Sequence, residues 1–313
     1  MSDLVSVIIP NYNHAKYLKR RIRSVLDQTY QNIEVIILDD CSTDGSKNII
    51  EDFRTHPKVI AINYNEHNSG STFRQWKQGL DYANGAWIWI AESDDYCEPD
   101  FLTGILAGEA NDGCGIRFCA SLSVDQDDVV VSMKQPTIDG GIYNGVEFLK
   151  KFQIVHNHVT NASAVLFKRQ LLEDELKEGI GDYKILGDYL IYVRLMLKTD
   201  VFFSGEPRNY HRKHSKSVRA ITEKDGTHHM EAKIFREEVK QLFSGLEDPV
   251  LRKQLVKANS NAIWADEGFR AMQYVQNKEY RRSIFPLMKA TFRPKFTFYY
   301  LKGFLYWLIN SRN

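Results

Sequence analysis

Residues 4–13 read LVSVIIPNYN, and this stretch decides the fold class. Its apolar half is rich in β-branched side chains, which is typical of a strand that is buried on both faces. Its second half, PNYN, is a loop sequence that begins where the strand ends. Two later segments, IEVIIL at residues 33–38 and AWIWIA at residues 86–91, show the same pattern. Continuous apolar strands of this kind indicate a mostly parallel sheet with helices on its faces.

Helical patterns separate these strands. Leu18, Ile22 and Val25 follow the i, i+4, i+7 spacing of an amphipathic helix, which we place at residues 14–28. Strands that alternate with helices pair in parallel through right-handed crossovers. Further strands follow after residue 115, so the sheet is predicted to be mixed. The other elements predicted in this half are helices at 44–53 and 73–83 and strands at 58–64, 115–124 and 129–133.

The second half of the chain has a less regular pattern. We predict an α/β domain over residues 1–220, followed by a helical C-terminal region over residues 221–313. The elements predicted after residue 140 are a helix at 143–152, a strand at 162–168, a buried helix at 185–197, short strands at 201–204 and 208–212, and helices beyond 225.

The composition is that of a folded, nearly neutral protein. Lys and Arg total 41 and Asp and Glu total 40, so the charge gives no sign of nucleic-acid binding. The four cysteines form no CxxC pair, which favours free thiols in a reducing compartment. No signal peptide is recognisable, and no apolar run reaches the roughly 20 residues of a membrane span. We therefore expect a cytoplasmic protein.

Three of the predicted N-terminal strands end in polar residues. Residues 10–13 read PNYN, residues 39–46 read DDCSTDGS and residues 92–95 read ESDD. Ligands of open α/β sheets bind beyond the carboxyl ends of the strands, which lie at one edge. The three segments are therefore predicted to line a single site.

A lone acidic strand end is usually a helix cap or a turn, and we assign that role to Asp44. Asp39 and Asp40 alone would be as consistent with a turn as with a site. Two acidic clusters on neighbouring strands repel each other unless a cation or hydrogen-bond donors offset their charge. Oxygen ligands suit Mg²⁺ or Mn²⁺. Because no Walker A loop or GxGxxG motif accompanies them, a P-loop kinase or an NAD enzyme is disfavoured.

The segments VSVIIPNYN at 5–13, LDDCSTDGS at 38–46 and AESDD at 91–95 closely resemble glycosyltransferase family 2 in sequence, order and separation. The resemblance covers residues 4–220 and implies the GT-A fold. It further implies an inverting glycosyltransferase that moves a sugar from a UDP- or dTDP-sugar donor to a hydroxyl group.

The resemblance assigns residues 1–100 to the donor and residues 101–220 to the acceptor and the catalytic base. Asp94 would bind a Mn²⁺ or Mg²⁺ ion that is held by the donor's diphosphate. Asp40 would accept a hydrogen bond from the pyrimidine ring, which favours uracil or thymine because cytosine has no proton at that nitrogen. The family commonly has Asp where this chain has Glu92. The other residues that would line the nucleotide site are Pro10, Asn11, Tyr12, Asp39, Glu92 and Ser93.

Residues 186–189 read LGDY and resemble the family's motif for the general base. An inverting transferase needs a carboxylate that takes the proton of the acceptor hydroxyl, and the resemblance assigns Asp188 to this role. Gly187 stands where the family usually has Glu. The alternative, from the residues alone, is that Asp188 caps the following helix.

Residues 210–217 read YHRKHSKS and resemble the family segment that follows the base helix. A cation such as Arg212 could neutralise the departing diphosphate, and His214 could add a metal ligand. The alternative is a basic surface loop. Arg74, in the predicted helix at 73–83, could reach the nucleotide.

The C-terminal tail is basic and aromatic, with no acidic residue after Glu279. Residues 296–309 are too short to span a bilayer, but a basic aromatic helix suits the membrane interface. The tail could therefore dock on the cytoplasmic leaflet, where lipid-linked acceptors lie. The alternative is a helix that packs on the catalytic domain or on a second subunit of a homo-oligomer.

The sequence thus predicts an enzyme that builds a cell-surface glycan, such as a polysaccharide or lipopolysaccharide. Two alternatives remain open. A sugar-1-phosphate nucleotidylyltransferase normally has a Gly-rich phosphate loop after the first strand, and PNYNH is not one. A non-catalytic nucleotide-sugar-binding or scaffold protein with a decayed site would account for Glu92 and Gly187.

Overall fold

The structure is a computed structural model that describes residues 3–107, 113–134, 138–180, 183–215 and 217–276. The chain divides into two compact units. The first consists of Met1–Leu149 and Asn157–Phe235, and the second consists of Lys150–His156 and the chain from Arg236 onwards.

Strands of the first unit form one mixed sheet, which has ten strands within the described residues. In chain order they are β1 (Val5–Asn11), β2 (Ile33–Asp39), β3 (Val59–Tyr64), β4 (Trp87–Ile90), β5 (Tyr96–Cys97), β6 (Cys114–Val124), β7 (Val130–Lys134), β8 (Gly141–Tyr143), β9 (Val165–Lys168) and β10 (Asp200–Arg212).

The strand order is β3-β2-β1-β4-β9-β6-β10-β5, with β7 beside β6 and β8 beside β10. Strands β1 to β4 pair in parallel, as their alternation with helices predicted. Antiparallel β9 separates β4 from β6. The prediction of a mixed α/β sheet is confirmed. A consequence of this order is that β1, β2 and β4 end side by side.

Helices connect the strands of the first unit, and further helices lie in the second unit. In chain order they are α1 (Ala15–Leu26), α2 (Ser46–Glu51), α3 (Thr72–Leu80), α4 (Phe101–Ile105), α5 (Gly145–Phe148), α6 (Ile154–His156), α7 (Arg169–Glu178), α8 (Gly187–Met196), α9 (Val218–Asp225), α10 (Thr227–Ser244) and α11 (Pro249–Gln276). A π-helical turn at Leu149–Gln153 and a 3₁₀ turn at Ala162–Ala164 complete the set for the described residues.

Helix α1 packs on the sheet through the face that its sequence predicted. Leu18, Ile22 and Val25 are fully buried. Arg21 lies on the same face and is also fully buried, with its guanidinium carbon 5.0 Å from the centre of the Trp89 ring. A cation over an aromatic face is attracted by the negative ring quadrupole.

A buried polar network joins the starts of β1, β2 and β4. Ser6 Oγ donates to Glu34 Oε1 at 2.5 Å and accepts from Gly85 N at 2.7 Å. Asn84 N donates to the same Glu34 oxygen at 2.6 Å. Because buried polar groups are costly when unpaired, this network fixes the turn before β4 against the two neighbouring strands.

Asp44 has the capping role that the sequence predicted. Its Oδ1 accepts from Ser46 N and Oγ at the start of α2, at 3.1 and 2.6 Å. Its Oδ2 accepts from Ala15 N at 2.8 Å, at the start of α1. One carboxylate therefore satisfies free N–H groups of two helices.

The prediction of two short strands at 201–204 and 208–212 is wrong. Residues Asp200–Arg212 form the single strand β10, which pairs in parallel with β6 through several register shifts. Gly205 has a φ of 79° and lies at one of these irregularities. A local break in the strand pattern is bridged here by pairing with a strand that is distant in sequence.

The described residues contain no helix that is long and apolar enough to cross a membrane. The second unit is held by contacts of its own, in which Arg236 binds the Ile154 carbonyl at 2.9 Å and Asp266 Oδ2 at 2.8 Å. The tail predicted to dock on a membrane, with its segment at 296–309, lies outside the described residues.

Gly85 should be intolerant of a side chain. A Cβ atom at this position would lie 2.6 Å from both Leu4 O and Ser6 N, which are backbone atoms of the β1 segment. We expect Gly85→Ala to destabilise the protein by about 2 kcal/mol through overpacking, measured as a lower melting temperature. Gly245→Ala is the matched control, because its Cβ would be 3.6 Å from the nearest atom. Equal melting temperatures for the two variants would contradict this account.

Candidate active site

The loop after β1 is fixed against the loop after β2. Asn11 Nδ2 donates to Asp39 Oδ1 at 2.7 Å and to Ser42 Oγ at 3.2 Å. Asn13 has a φ of 56°, which Asn tolerates better than most residues, and its Oδ1 accepts from Thr43 N at 2.8 Å. These bonds hold the ends of two neighbouring strands at one edge of the sheet.

Pro10 and Tyr12 flank Asn11 and differ in exposure. Pro10 is buried within β1, whereas the Tyr12 side chain is 47% exposed at the sheet edge. The Tyr12 ring is therefore accessible to a ligand, and a flat aromatic face is well suited to stacking on a nucleotide base.

Asp40 is the centre of a hydrogen-bonded loop cluster. Its Oδ1 accepts from Asn65 Nδ2 at 2.7 Å, Ser69 N at 2.9 Å and Gln75 Nε2 at 3.2 Å. Its Oδ2 accepts from Ser69 Oγ at 2.8 Å. A carboxylate oxygen has two lone pairs, so Oδ2 retains acceptor capacity for a further donor. The side chain is nearly buried, at 5% exposure.

Arg74 lies next to this cluster. Its Nη1 donates to Ser69 O at 3.0 Å, and the side chain is exposed. A cavity of about 240 Å³ adjoins Ser69, and Arg74, Lys77 and Lys184 contribute cationic groups to its lining. Arg74 therefore lies beside the Asp40 loop, and Lys77 and Lys184 add two cations that the sequence analysis did not anticipate.

Helix α3 connects Asp40 to the acidic segment after β4. Gln75 binds Asp40, and the adjacent Trp76 donates through Nε1 to Glu92 Oε1 at 3.1 Å. Thr72 Oγ1 donates to the same Glu92 oxygen at 3.2 Å. Burial, reinforced by the nearby Asp94 charge, raises the pKa of Glu92 to about 8. Glu92 is therefore mostly protonated at neutral pH.

Asp94 and Asp95 are adjacent carboxyl groups in different environments. Burial and the Asp94 charge raise the pKa of Asp95, which accepts from Asn161 Nδ2 at 2.7 Å and from Arg212 N at 2.8 Å. Burial also acts to raise the pKa of Asp94, but His14 and the hydrogen bond from His214 outweigh it and lower that pKa well below the usual range. Asp94 is therefore the more acidic member of the pair.

Arg212 is buried at the end of β10, at 2% exposure. Its Nε donates to Asp94 O at 2.8 Å, its Nη1 donates to Asp125 O at 2.7 Å, and its Nη2 is paired with Asp128. The guanidinium also lies 4.4 Å from the centre of the Tyr17 ring. In this conformation Arg212 holds the acidic segment in place, and it is not displayed on a basic surface loop.

Two histidines adjoin the ionised Asp94. His214 Nε2 lies 3.0 Å from Asp94 Oδ2, and His14 Nδ1 lies 2.8 Å from Oγ of the buried Ser93. One ring nitrogen of each histidine and one oxygen of Asp94 lie within 4.8 Å of one another. Carboxylate and imidazole groups are ligands that Mn²⁺ accepts. The residues present therefore fit a divalent cation.

His14 was missed by the sequence analysis, which selected Asp94 and His214. Its signal was its position, directly after the PNYN segment at the end of a central strand. A single histidine at the start of a helix is too common a feature to be assigned without knowledge of its neighbours, and those neighbours are 79 residues away in sequence.

Asp188 lies in the first turn of α8 but does not cap the helix. Its Oδ1 accepts from the adjacent Tyr189 N at 2.7 Å. Glu231 anchors the segment just before α8, because its carboxylate accepts from the N–H groups of Lys184, Ile185 and Leu186 at 2.7 to 3.2 Å. Burial raises the pKa of Asp188 to about 7. A carboxyl group with this pKa can accept a proton at neutral pH.

Gly187 allows the start of α8 to approach α3. A Cβ atom at position 187 would lie 2.7 Å from the Phe73 ring, and that ring packs at 5.0 Å from the Trp76 ring. Tyr192 interacts electrostatically with both Asp188 and Glu92, which raises the pKa of the tyrosine beyond the effect of its burial. Tyr192 therefore lies near both carboxyl groups, and no larger residue fits at 187 without displacing Phe73.

The structure thus brings together residues from four parts of the chain. Hydrogen bonds join Asn11 to Asp39, α3 to both Asp40 and Glu92, and β10 to the acidic segment. The resulting edge presents an exposed aromatic ring, an ionised carboxylate beside two imidazoles, and a carboxyl group that titrates near neutrality. These groups can bind a base, a cation and a proton, respectively.

The sequence matches known proteins over its first half. A profile of the family described as Glycosyl transferase family 2 matches residues 6–174. The chain is 36% identical over 124 residues to the putative teichuronic acid biosynthesis glycosyltransferase TuaG of Bacillus subtilis (strain 168). That match covers 40% of this chain and 49% of TuaG. It is 38% identical over 102 residues to glycosyltransferase GlyG of Streptococcus pneumoniae serotype 4, with coverage of 33% and 34%. The matched stretches span about half or about a third of these relatives.

Solved structures share the fold at lower identity. S. aureus TarS 1-349 in complex with UDP has a TM-score of 0.60 at 19% identity, and the match covers 81% of this chain and 69% of that one. The mannosyltransferase PcManGT from Pyrobaculum calidifontis, in complex with GDP-Man and Mn²⁺, has a TM-score of 0.62 at 16% identity, with coverage of 98% and 81%. Both likenesses support the GT-A fold predicted from the sequence. Because the family profile matches more than half of the residues of this chain, the chain belongs to glycosyltransferase family 2.

Proposed function

We propose that this chain is an inverting glycosyltransferase that moves a sugar from a UDP- or dTDP-sugar to a hydroxyl group. The observation that carries the proposal is the linkage of both acidic clusters through α3, where Gln75 binds Asp40 and Trp76 binds Glu92. A nucleotide-sugar has a base at one end and a diphosphate near the other. Two carboxylate clusters on neighbouring strand ends suit such a molecule.

The donor contacts follow from this arrangement. The base would stack near Tyr12 and donate its ring N–H to Asp40, supported by Pro10, Asn11 and Asp39. Ser93 or Glu92 would face the ribose. TarS structures contain UDP or UDP-GlcNAc, and PcManGT contains GDP-Man, which supports a nucleotide-sugar donor in this fold. Arg74 and Arg212 remain proposed diphosphate contacts, and Arg212 would first have to exchange one of its present partners.

The cation would be Mn²⁺ or Mg²⁺, held by Asp94 and His214. Their ligand atoms are 3.0 Å apart, and the carboxylate is ionised. When bound, the cation supplies positive charge that offsets the charge developing on the leaving diphosphate. The protein contributes a fixed anionic ligand, which Arg212 holds in place through the Asp94 carbonyl.

Asp188 would be the general base. The acceptor oxygen forms a bond to the anomeric carbon while the bond between that carbon and the diphosphate oxygen breaks. The acceptor proton passes to the Asp188 carboxylate, and attack opposite the leaving group inverts the configuration. Because Asp188 does not cap α8, its carboxylate is available for this role.

The acceptor would be a glycan or a lipid-linked glycan of a cell-surface polysaccharide. The names of TuaG and of a 38%-identical segment in chondroitin synthase from Escherichia coli support polysaccharide synthesis. The segment matches only 14% of the chondroitin synthase, so the acceptor of this chain is inferred by class. We propose that the protein acts in the cytoplasm, with its basic tail on the inner face of the plasma membrane.

Replacement of Asp188 should abolish turnover without unfolding the protein. We expect Asp188→Asn to lower kcat at least about 100-fold, because the amide cannot take the acceptor proton. The wild-type rate should rise with pH and level off above about 7, since the carboxylate is the active form. The measurement is UDP release in the presence of an acceptor, and the exposed Asp81→Asn is the matched control.

The same variant separates a catalytic role from a structural one. The folded-state pKa of Asp188 is raised, so its contribution to stability is present at low pH and is lost as the pH rises towards 7. Asn stays neutral, so the variant should melt at or above the wild-type temperature at pH 8. A variant that melts lower, or one that turns over within tenfold of wild type, would contradict the assignment.

Donor binding should discriminate among pyrimidines. Asp40 is an acceptor, and cytosine has no ring N–H to donate to it, so CDP should bind roughly 10- to 100-fold more weakly than UDP or dTDP. The measurement is a thermal-shift titration of the full chain with Mn²⁺, in which bound ligand raises the melting temperature by mass action. Equal shifts for CDP and UDP would rule out Asp40 as the base-reading group.

Neutralisation of the tail should weaken membrane binding. We expect replacement of Lys289, Arg293 and Lys295 with Gln to reduce, at least tenfold, the partitioning of the protein onto vesicles that contain phosphatidylglycerol. The reason is that each basic residue near an anionic membrane surface contributes about 1 kcal/mol to binding. The measurement is co-sedimentation of the full chain. The control replaces three exposed lysines elsewhere, Lys224, Lys240 and Lys253. Unchanged partitioning of the tail variant would exclude this docking mode.

A further inference from the structure

We infer that His14 is a third protein ligand of the divalent cation, and that the site therefore binds Mn²⁺ before the donor arrives. The inference rests on the proposed function, because it concerns the same site. It goes further because it adds His14 to the ligands of the cation and states that the cation binds before the donor. A cation held by two protein groups depends on the donor's diphosphate, whereas a third protein ligand provides affinity in its absence.

The geometry of the cluster fits cation ligands. His214 Nε2 and Asp94 Oδ2 are 3.0 Å apart. Neighbouring ligands of an octahedral ion, each about 2.1 Å from the metal, are separated by about 3 Å. One ring nitrogen of each histidine and one carboxylate oxygen of Asp94 lie within 4.8 Å of one another. His14 directly precedes α1, Asp94 follows β4 and His214 follows β10, so the fold itself assembles the cluster.

The surroundings of His14 fix the orientation of its ring. Its Nδ1 is 2.8 Å from Oγ of Ser93, which is 1% exposed. Metal-binding histidines usually hold their other ring nitrogen on an oxygen in this way. The contact with Ser93 therefore restrains the His14 ring beside Asp94.

Aromatic packing restrains both imidazoles. The centres of the His14 and His214 rings are 5.5 Å apart in an edge-to-face arrangement, and the Tyr17 ring lies 6.4 and 5.4 Å from them. Rings that are already restrained lose less conformational entropy when they coordinate an ion. The cluster is therefore organised for binding before any ligand is present.

The ligand set also predicts which cation is preferred. Mg²⁺ prefers oxygen ligands and retains its waters, whereas imidazole suits later first-row metals. A site with two imidazoles and one carboxylate should therefore favour Mn²⁺ over Mg²⁺. An ion pair between Asp94 and protonated histidines is the alternative, and it requires no metal.

The test measures Mn²⁺ binding to the full chain in the absence of nucleotide. Binding is monitored through the electron paramagnetic resonance signal of free Mn²⁺. We expect the wild type to bind Mn²⁺, His14→Asn to bind at least tenfold more weakly, and Mg²⁺ to compete poorly. His56→Asn is the matched control, because His56 lies outside the cluster, between α2 and β3. Melting temperatures in EDTA should be equal for the variants and the wild type, which shows that they are folded.

Two results would overturn the inference: no Mn²⁺ binding by nucleotide-free wild type, or wild-type affinity in His14→Asn. Asp94→Asn separates this failure from failure of the proposed function. Loss of Mn²⁺ binding in Asp94→Asn alone would remove His14 from the ligand set and leave the proposed cation site intact. If Asp94→Asn also keeps wild-type affinity, the cation is bound elsewhere and both proposals fail at this site.

Discussion

Crowding of three carboxyl groups after β4 is the constraint on which the candidate site depends. Glu92, Asp94 and Asp95 occupy four consecutive positions in a partly buried segment, where like charges repel strongly. The protein resolves this in three ways. Glu92 is held largely protonated by burial, Asp95 is surrounded by donors, and Asp94 remains ionised beside two histidines. The ionised Asp94 carboxylate thus lies where a cation can bind.

Other residues hold the segments around the proposed functional groups in place. Glu231 anchors the segment before α8, and Gly187 lets that helix lie against Phe73. Arg212 restrains the acidic segment from β10 through its backbone and side chain. Departures from the usual family residues at 92 and 187 therefore have physical explanations in packing and protonation. They do not by themselves indicate a decayed site.

Much of the fold could be predicted because the relevant information is local. Strands β1, β2 and β4 are continuous apolar runs, and α1 has a clear apolar face. Short elements such as β5 and β8 have too few residues to show a period. The continuity of β10 could not be predicted, since Gly205 and Pro207 interrupt the local pattern and pairing with β6 restores it.

The candidate site was predictable only in part, because some of its contacts also join segments that are distant in sequence. Strand-end carboxylates were recognisable from position and resemblance, but His14 and the buried Arg21 depend on contacts between distant segments. Arg21 lies on the apolar face of α1, where its guanidinium group lies over the Trp89 ring. A periodicity rule would place such a residue in solvent, so its burial could be learned only from the tertiary structure.

The central claim is that one edge of the sheet binds the base and the diphosphate of a single donor around one cation. A crystal of the protein grown with UDP and Mn²⁺, measured at the manganese absorption edge, tests this most directly. The account predicts one anomalous peak between Asp94, His214 and the UDP diphosphate, with the uracil beside Asp40. Manganese bound away from Asp94, or a nucleotide bound away from Asp40, would contradict it.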